Sequence, residues 1–290
     1  MKSKSLAWAI LIALSIIWGS SFILMKRGLD AYGSDEVAAL RISIAFLFLI
    51  PFYIKHYRID FKKYFLGLVL MGVFGNLIPA FLFTKAETQI SSSLAGMLNA
   101  LTPLFTILVG LLWLKIRPST QQVYGILVGL LSAICLVVFQ GGENVFRNAL
   151  YGLLAVVATM CYAISVNGIR KYLGGLNSVT ATVWAFSITG PIALVYLFGF
   201  TDFTTHWTQN PKALVSLGYV GILAIVGTAL SVIFYNILIR SSGAVFASSC
   251  TYLIPVVAVG WGIFDGESIN GAQLLSVTAI VLSVYLINRE

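Results

Sequence analysis

Charge is what this chain has least of. Only 28 of its 290 residues are Lys, Arg, Asp or Glu, whereas an ordinary soluble domain carries about a quarter. A water-facing exterior cannot be assembled from so few, and the soluble classes are excluded. Histidine is nearly absent as well. His56 and His206 are the two present, both in polar breaks, which leaves no histidine-based metal or acyl-transfer centre within the apolar stretches. Cys135, Cys161 and Cys250 stand far apart inside apolar stretches; they read as small packing residues rather than a disulfide or zinc framework. No run of five basic residues and no GxxxxGK[ST] loop occurs, which argues against nucleic acid and against ATP bound in a P-loop. No acid lies in the middle of an apolar stretch. A proton relay is therefore not visible, and a proton-coupled mechanism would have to use Glu87 or another boundary group. No cofactor and no metal is expected.

What the sequence has in abundance is apolar length. Hydrophobic residues make up 59% and the mean hydropathy is +0.95. A bilayer core takes about 20 apolar residues per helix. Ten such stretches are legible, at 6–25, 36–54, 64–84, 92–113, 122–139, 149–168, 179–200, 213–238, 245–264 and 271–287. The first follows Lys2 and Lys4 like a signal peptide, but it runs on to Lys26 and Arg27 with no clear cleavage site, and is read as a retained helix. The connections are short, so function must reside in the helices. The expectation is an all-α integral membrane protein of ten transmembrane helices.

With the N-terminus cytoplasmic, twelve Lys/Arg fall inside (Lys2, Lys4, Lys55, Arg58, Lys62, Lys63, Lys115, Arg117, Arg170, Lys171, Arg240, Arg289) and five outside (Lys26, Arg27, Lys85, Arg147, Lys212). That is the sense of the positive-inside rule, and it places both termini in the cytoplasm of a cell's inner membrane. Arg41 alone is left within a span.

The two halves repeat. An offset of 152 sets Gly75 on Gly227, Pro103 on Pro255, Gly110 on Gly262 and Gln121 on Gln273, and a shorter offset of 144 sets Trp18 on Tyr162 and Lys26 on Arg170. Five helices per half is an odd number, so the second half is inverted against the first, dividing the chain at 1–146 and 147–290.

The chain resembles the drug/metabolite transporter superfamily, specifically EamA-type ten-helix carriers. Trp18-Gly19-Ser20-Ser21-Phe22 is similar to that family's WG[ST]xF signature, Arg41 to its helix-2 arginine, and Gly266-Glu267 to its GE pair. Leu101-Thr102-Pro103-Leu104 and Leu253-Ile254-Pro255-Val256 also match. One departure stands out: Lys115 occupies the first-half position that matches Glu267. The resemblance implies export or exchange of small metabolites such as amino acids, a cavity lined by helices 1 to 4 and 6 to 9, and helices 5 and 10 at the periphery.

Polar groups in hydrocarbon pair or face a cavity. Asn76 and Asn99, which the 152 offset takes to Thr228 and Thr251, either contact a polar substrate or bond between helices. Trp18, Phe83, Tyr162, Tyr235 and Tyr252 offer aromatic faces, with Trp184 a further one, and Ser21 and Asn236 neighbour them in sequence. Arg41 either holds a substrate carboxylate, snorkels, or pairs with Glu36 or Glu87. Lys85 and Glu87 sit where an external gate would lie. Pro79, Pro103, Pro191 and Pro255 are expected to interrupt helices, and Gly125-xxx-Gly129 to pack internally.

The reading is a secondary carrier, not an enzyme, moving a small polar or amphipathic metabolite, most plausibly an amino acid, by alternating access. Its partners are the lipid bilayer and a small-molecule substrate, and it is a monomer or weak homodimer. A sugar-phosphate or nucleotide-sugar carrier is the alternative, and an integral membrane lipid enzyme the third.

Overall fold

The computed structural model describes residues 4–115, 119–138, 145–242 and 250–288. Every element in them is helical. In chain order these are α1 (Lys4–Gly28), α2 (Ser34–His56), α3 (Phe61–Val69), a π-helical segment π1 (Leu70–Leu77), α4 (Ile78–Glu87), α5 (Ser92–Asn99), α6 (Thr102–Leu114), α7 (Thr120–Val138) and α8 (Val145–Tyr172). There follow α9 (Ser178–Phe200), a short α10 (Phe203–Gln209), α11 (Ala213–Ala224), a second π segment π2 (Ile225–Leu230), α12 (Ser231–Ser242), α13 (Cys250–Phe264) and α14 (Gly271–Asn288). Span 3 is α3–π1–α4, span 4 is α5–α6, and span 8 is α11–π2–α12.

Seven spans are long and apolar enough to cross a bilayer, and three shorter apolar helices complete the ten expected stretches. The side chains facing away from the bundle suit lipid. Phe264 is 88% exposed and Leu112 81%, a display of apolar surface that water would penalise and hydrocarbon does not. The face bearing the α1 start and the α14 end is called proximal here, and the opposite face distal.

The two halves interlock rather than stand side by side. α2 packs along α9, α1 along α13, α4 and α6 on α8, and α5 on α13. Two of these approaches depend on glycine. A Cβ at Gly19 would come within 2.5 Å of Val257 on α13, and one at Gly96 would run into Ala258 on the same helix. α7 and α14 pack chiefly on each other, at the periphery. A Cβ at Gly129 would strike Leu104 and Ser283, so this glycine serves packing inside the chain, as expected.

The repeat is visible in the backbone. π1 and π2 occupy corresponding places in spans 3 and 8, and each ends with a wide-turn bond, Ile78 N–H to Val73 O and Ser231 N–H to Val226 O. Such widened turns often mark functional sites. The prolines behave unevenly. Pro79 opens α4 and Pro103 opens α6, the latter after a break at Ala100–Leu101. Pro191 and Pro255, expected to interrupt, lie inside continuous helices. Neighbouring helices supply enough packing there to keep the helix going past the lost hydrogen bond.

Candidate functional site

The residues singled out by the repeat make corresponding bonds in the two halves. Asn76 in π1 donates its amide to the carbonyl of Met71 at 3.0 Å, and Thr228 in π2 donates its hydroxyl to the carbonyl of Leu223 at 3.0 Å. Each side chain thus bonds the residue five before it, and the 152 offset carries one pair onto the other. A π turn leaves carbonyls without their usual amide partner, and a short polar side chain one turn later satisfies them.

The aromatic rings repeat the relation. Trp18 meets Tyr235 edge-on, with ring centroids 5.0 Å apart, and Tyr162 stacks with Phe83 at 6.0 Å. Trp18 corresponds to Tyr162 by the shorter offset and Phe83 to Tyr235 by the longer, so corresponding residues pair in both halves, edge-on in one and stacked in the other. Trp18 also donates its indole N–H to the carbonyl of Gly227 in π2 at 3.1 Å. Ser21, buried a turn further along α1, bonds Ile17 in its own helix at 3.1 Å.

Arg41 contacts one member of this set, Thr228. Its Nε donates to the Thr228 hydroxyl at 2.9 Å, and one terminal nitrogen lies 3.8 Å from the Met25 sulfur. Neither Glu36 nor Glu87 pairs with it among the described residues. Glu36 is taken instead by His206 Nδ1 at 2.9 Å and by the backbone N–H of Gly33 at 2.9 Å. Among the described residues Arg41 makes no ion pair. A partly buried guanidinium with donors to spare is suited to a carboxylate fork. The histidines are less isolated than their sequence positions suggest: His206 sits in α10, and His56 ends α2 with Nδ1 2.8 Å from the Thr180 hydroxyl.

The other candidates do not join this cluster. Asn99 ends α5 at the break in span 4, half-buried, with no hydrogen bond from its amide among the described residues. Asn236 donates to Val232 in its own helix at 2.9 Å. Thr251 lies at the start of α13, and the Tyr252 side chain lies outside the described residues. Trp184 donates its indole N–H to the carbonyl of His56 at 3.0 Å, on the proximal side. Lys85 is exposed at the end of α4, and Glu87 two residues on is buried. A separate cleft between α1, α11 and α13, lined by Ser20, Leu24, Arg27, Tyr219, Trp261 and Asp265, contains none of the candidates.

A second cluster, which sequence reasoning did not assemble, closes the distal face. Glu267, in the connection between α13 and α14, accepts at Oε1 from the Ser92 N–H and hydroxyl, both at 2.9 Å. Its Oε2 accepts from the Ser93 N–H at 3.1 Å and hydroxyl at 2.5 Å. It therefore sits on the N-terminus of α5, where backbone donors and the helix dipole favour an anion. Lys26 bridges Glu267 at 2.7 Å and Asp265 at 2.6 Å, and Arg27 pairs with Asp265. Burial of the Glu267 carboxyl opposes ionisation, but the bonds from Lys26, Ser93 and Ser92 outweigh it and hold the pKa down at about 2. Three elements from both repeats, α1, α5 and the α13–α14 connection, are thereby tied together. Every ion pair among the described residues lies on this face. On the proximal face the matching residue is Lys115, which ends α6 with a left-handed φ of 55°. The signal in the sequence was the Ser91-Ser92-Ser93 run before a helix, paired with the GE acid. Only three-dimensional placement joins them.

The EamA-like transporter family model matches this chain twice, over residues 5–138 and 150–289. The chain is similar to the "Uncharacterized inner membrane transporter YedA" of Escherichia coli (strain K12), at 28% identity over 96% of this chain and 89% of that protein. It is similar to an "S-adenosylmethionine/S-adenosylhomocysteine transporter" of Chlamydia muridarum, at 25% identity over 95% and 89% respectively. A "Probable terminal-alkyne amino-acid exporter" of Streptantibioticus cattleyicolor aligns at 23% identity over 100% of this chain and 95% of its own. A protein of known crystal structure superposes with a TM-score of 0.64 over 98% of this chain and 96% of its own, at 17% identity, a likeness of fold alone.

Proposed function

The chain belongs to the EamA-like transporter family, and from that premise we propose that it carries small α-amino acids or their close derivatives across an inner membrane by alternating access of its two repeats. It is a membrane transporter whose cargo the family does not fix. The observation that carries the reading is the Arg41 guanidinium, which bonds Thr228 and lacks any carboxylate partner among the described residues. Arg41 takes the cargo carboxylate, Thr228 holds the guanidinium in place, and the Trp18–Tyr235 and Phe83–Tyr162 pairs wall the space for a side chain of varied shape. Asn99, with an amide lacking a described partner at the break in span 4, accepts from the ammonium. Two relatives bear names that denote amino-acid-type cargo, in agreement with this choice.

The distal face is the extracytoplasmic one by the twelve-to-five distribution of Lys and Arg, and both termini are cytoplasmic. The Lys26–Glu267–Ser92 cluster is the gate on that side, shut in this conformation. The repeats divide at 146 and 147. Binding and movement require no cofactor. A phosphorylated cargo is disfavoured because Lys26 and Arg27, the other cations at the repeat junction, are already held by acids.

Thermal melting of purified protein with single ligands tests the cargo class. Amino acids should raise the melting temperature, whereas the matching amines without a carboxylate, and sugar phosphates, should not. Stabilisation by sugar phosphates instead would overturn the assignment.

A further inference from the structure

Glu87 ends α4 on the distal side, with a side chain almost wholly buried and both carboxylate oxygens without a hydrogen-bond partner. Burying an ionised carboxylate with no donor is among the most costly arrangements a protein can adopt, and the neutral acid avoids most of that cost. The charges that act on it are those of the gate and the site. Glu267 in the α13–α14 connection, Lys26 on α1 and Arg41 on α2 all reach it electrostatically. Of these, Lys26 is bound to Asp265 and Glu267, and Arg41 to Thr228. The remaining elements packed on α4 are α8, α5 and π1. α8 has no charge between Arg147 and Arg170, its titratable groups there being Tyr151, Cys161 and Tyr162, and α5 and π1 contain none. On α4 itself Lys85 points to solvent.

We propose that Glu87 is a proton-binding site linked to the distal gate: shutting the gate takes up a proton at Glu87, and opening it releases that proton. Two anions, Glu87 and Glu267, compete for Lys26. While the gate is shut, Glu267 holds Lys26 together with four donors from Ser92 and Ser93, and Glu87 is left without a counter-ion and must stay neutral. Parting α5 from the α13–α14 connection frees Lys26 and admits water, and Glu87 ionises beside it. Lower pH on the distal side thus favours the shut gate. The inference rests on the gate reading above but not on the identity of the cargo.

The test uses full-length protein in lipid nanodiscs, with no cargo present. On a background with Cys135, Cys161 and Cys250 replaced, spin labels at Thr88 and Ser268, both exposed and on opposite repeats, report the width of the distal gate. The distance should lengthen as pH rises from about 5 to about 8, and Glu87→Gln, which mimics the neutral acid, should hold it short throughout. Histidine is the side chain that ordinarily titrates in this range, so His206→Gln is the control and should keep the response. An unresponsive parent, or a Glu87→Gln protein that responds like the parent, would overturn the proposal. Infrared spectroscopy checks the group directly at pH about 7. The parent should show a protonated-carboxyl stretch that Glu87→Gln removes and Glu87→Asp retains, and a band untouched by Glu87→Gln would equally contradict it. Failure of every amino acid to bind would leave both measurements intact.

Discussion

Arg41 of the first repeat donates to Thr228 of the second at 2.9 Å, and Thr228 in turn donates to the carbonyl that the π2 turn leaves open, that of Leu223. The guanidinium is anchored to a kind of backbone irregularity that both repeats share. An arginine anchored through Nε, with one terminal nitrogen 3.8 Å from the Met25 sulfur, still has N–H donors on its terminal nitrogens for a fork-shaped partner.

Replacing Arg41 by Lys keeps the charge but loses the fork and the anchor. Apparent affinity for amino-acid cargo should fall roughly 10- to 150-fold, the range of about 1.5–3 kcal/mol for a hydrogen bond to a charged group. Isothermal titration against the parent protein checks this, and unchanged affinity would remove Arg41 from the site.

Thr228→Val removes the anchor without touching the charge. Cargo affinity should fall by less than for Arg41→Lys, about 5- to 10-fold, and Thr228→Ser should restore most of it. Failure of Ser to rescue would mean that the hydroxyl is not what matters.

Trp18→Ala and Asn99→Leu should each impair transport while leaving the protein inserted and folded, as judged by detergent-extracted yield and a monodisperse elution profile. Normal uptake kinetics in both would sink the proposed cavity.

The gate has a pH signature of definite sign. Glu267 is a carboxyl with a depressed pKa, so its contribution is fully present above its ordinary value of 4.5 and is lost as pH falls toward about 2. Melting curves of the parent should lose up to roughly 3 kcal/mol more over that interval than those of Glu267→Gln. Equal acid sensitivity in the two proteins would contradict the ionised latch.

Gly19→Val places a side chain against Val257, where a Cβ alone would already lie at 2.5 Å. A loss of about 1–3 kcal/mol is expected from overpacking, read as a lower melting temperature.

The spans were legible because a bilayer imposes a fixed apolar length: the stretch read as 92–113 is Ser92–Leu114, and 179–200 is Ser178–Phe200. The inverted repeat was legible in part, and the Asn76–Thr228 correspondence proved to join two like-bonded side chains. The uses made of single residues were not legible. Nothing in the sequence distinguishes Pro103, which follows a break, from Pro255, which lies within a helix, since neighbouring packing decides between them. Nor could spacing reveal that Glu36 serves His206 rather than Arg41, a pairing across 170 positions. The scarcity of charge remains the best guide. With so few ionisable groups in the spans, each one that is wholly or partly buried, Glu87 and Arg41 above all, needs a role to offset its cost.

Flux in reconstituted proteoliposomes tests the central claim most directly. Vesicles preloaded with a mixture of unlabelled amino acids should accumulate at least one radiolabelled amino acid by counterflow well above protein-free vesicles, should lose that flux with Arg41→Ala, and should ignore the same amino acids with their carboxylates amidated. No flux above protein-free vesicles, or equal flux of the amidated forms, would contradict the account.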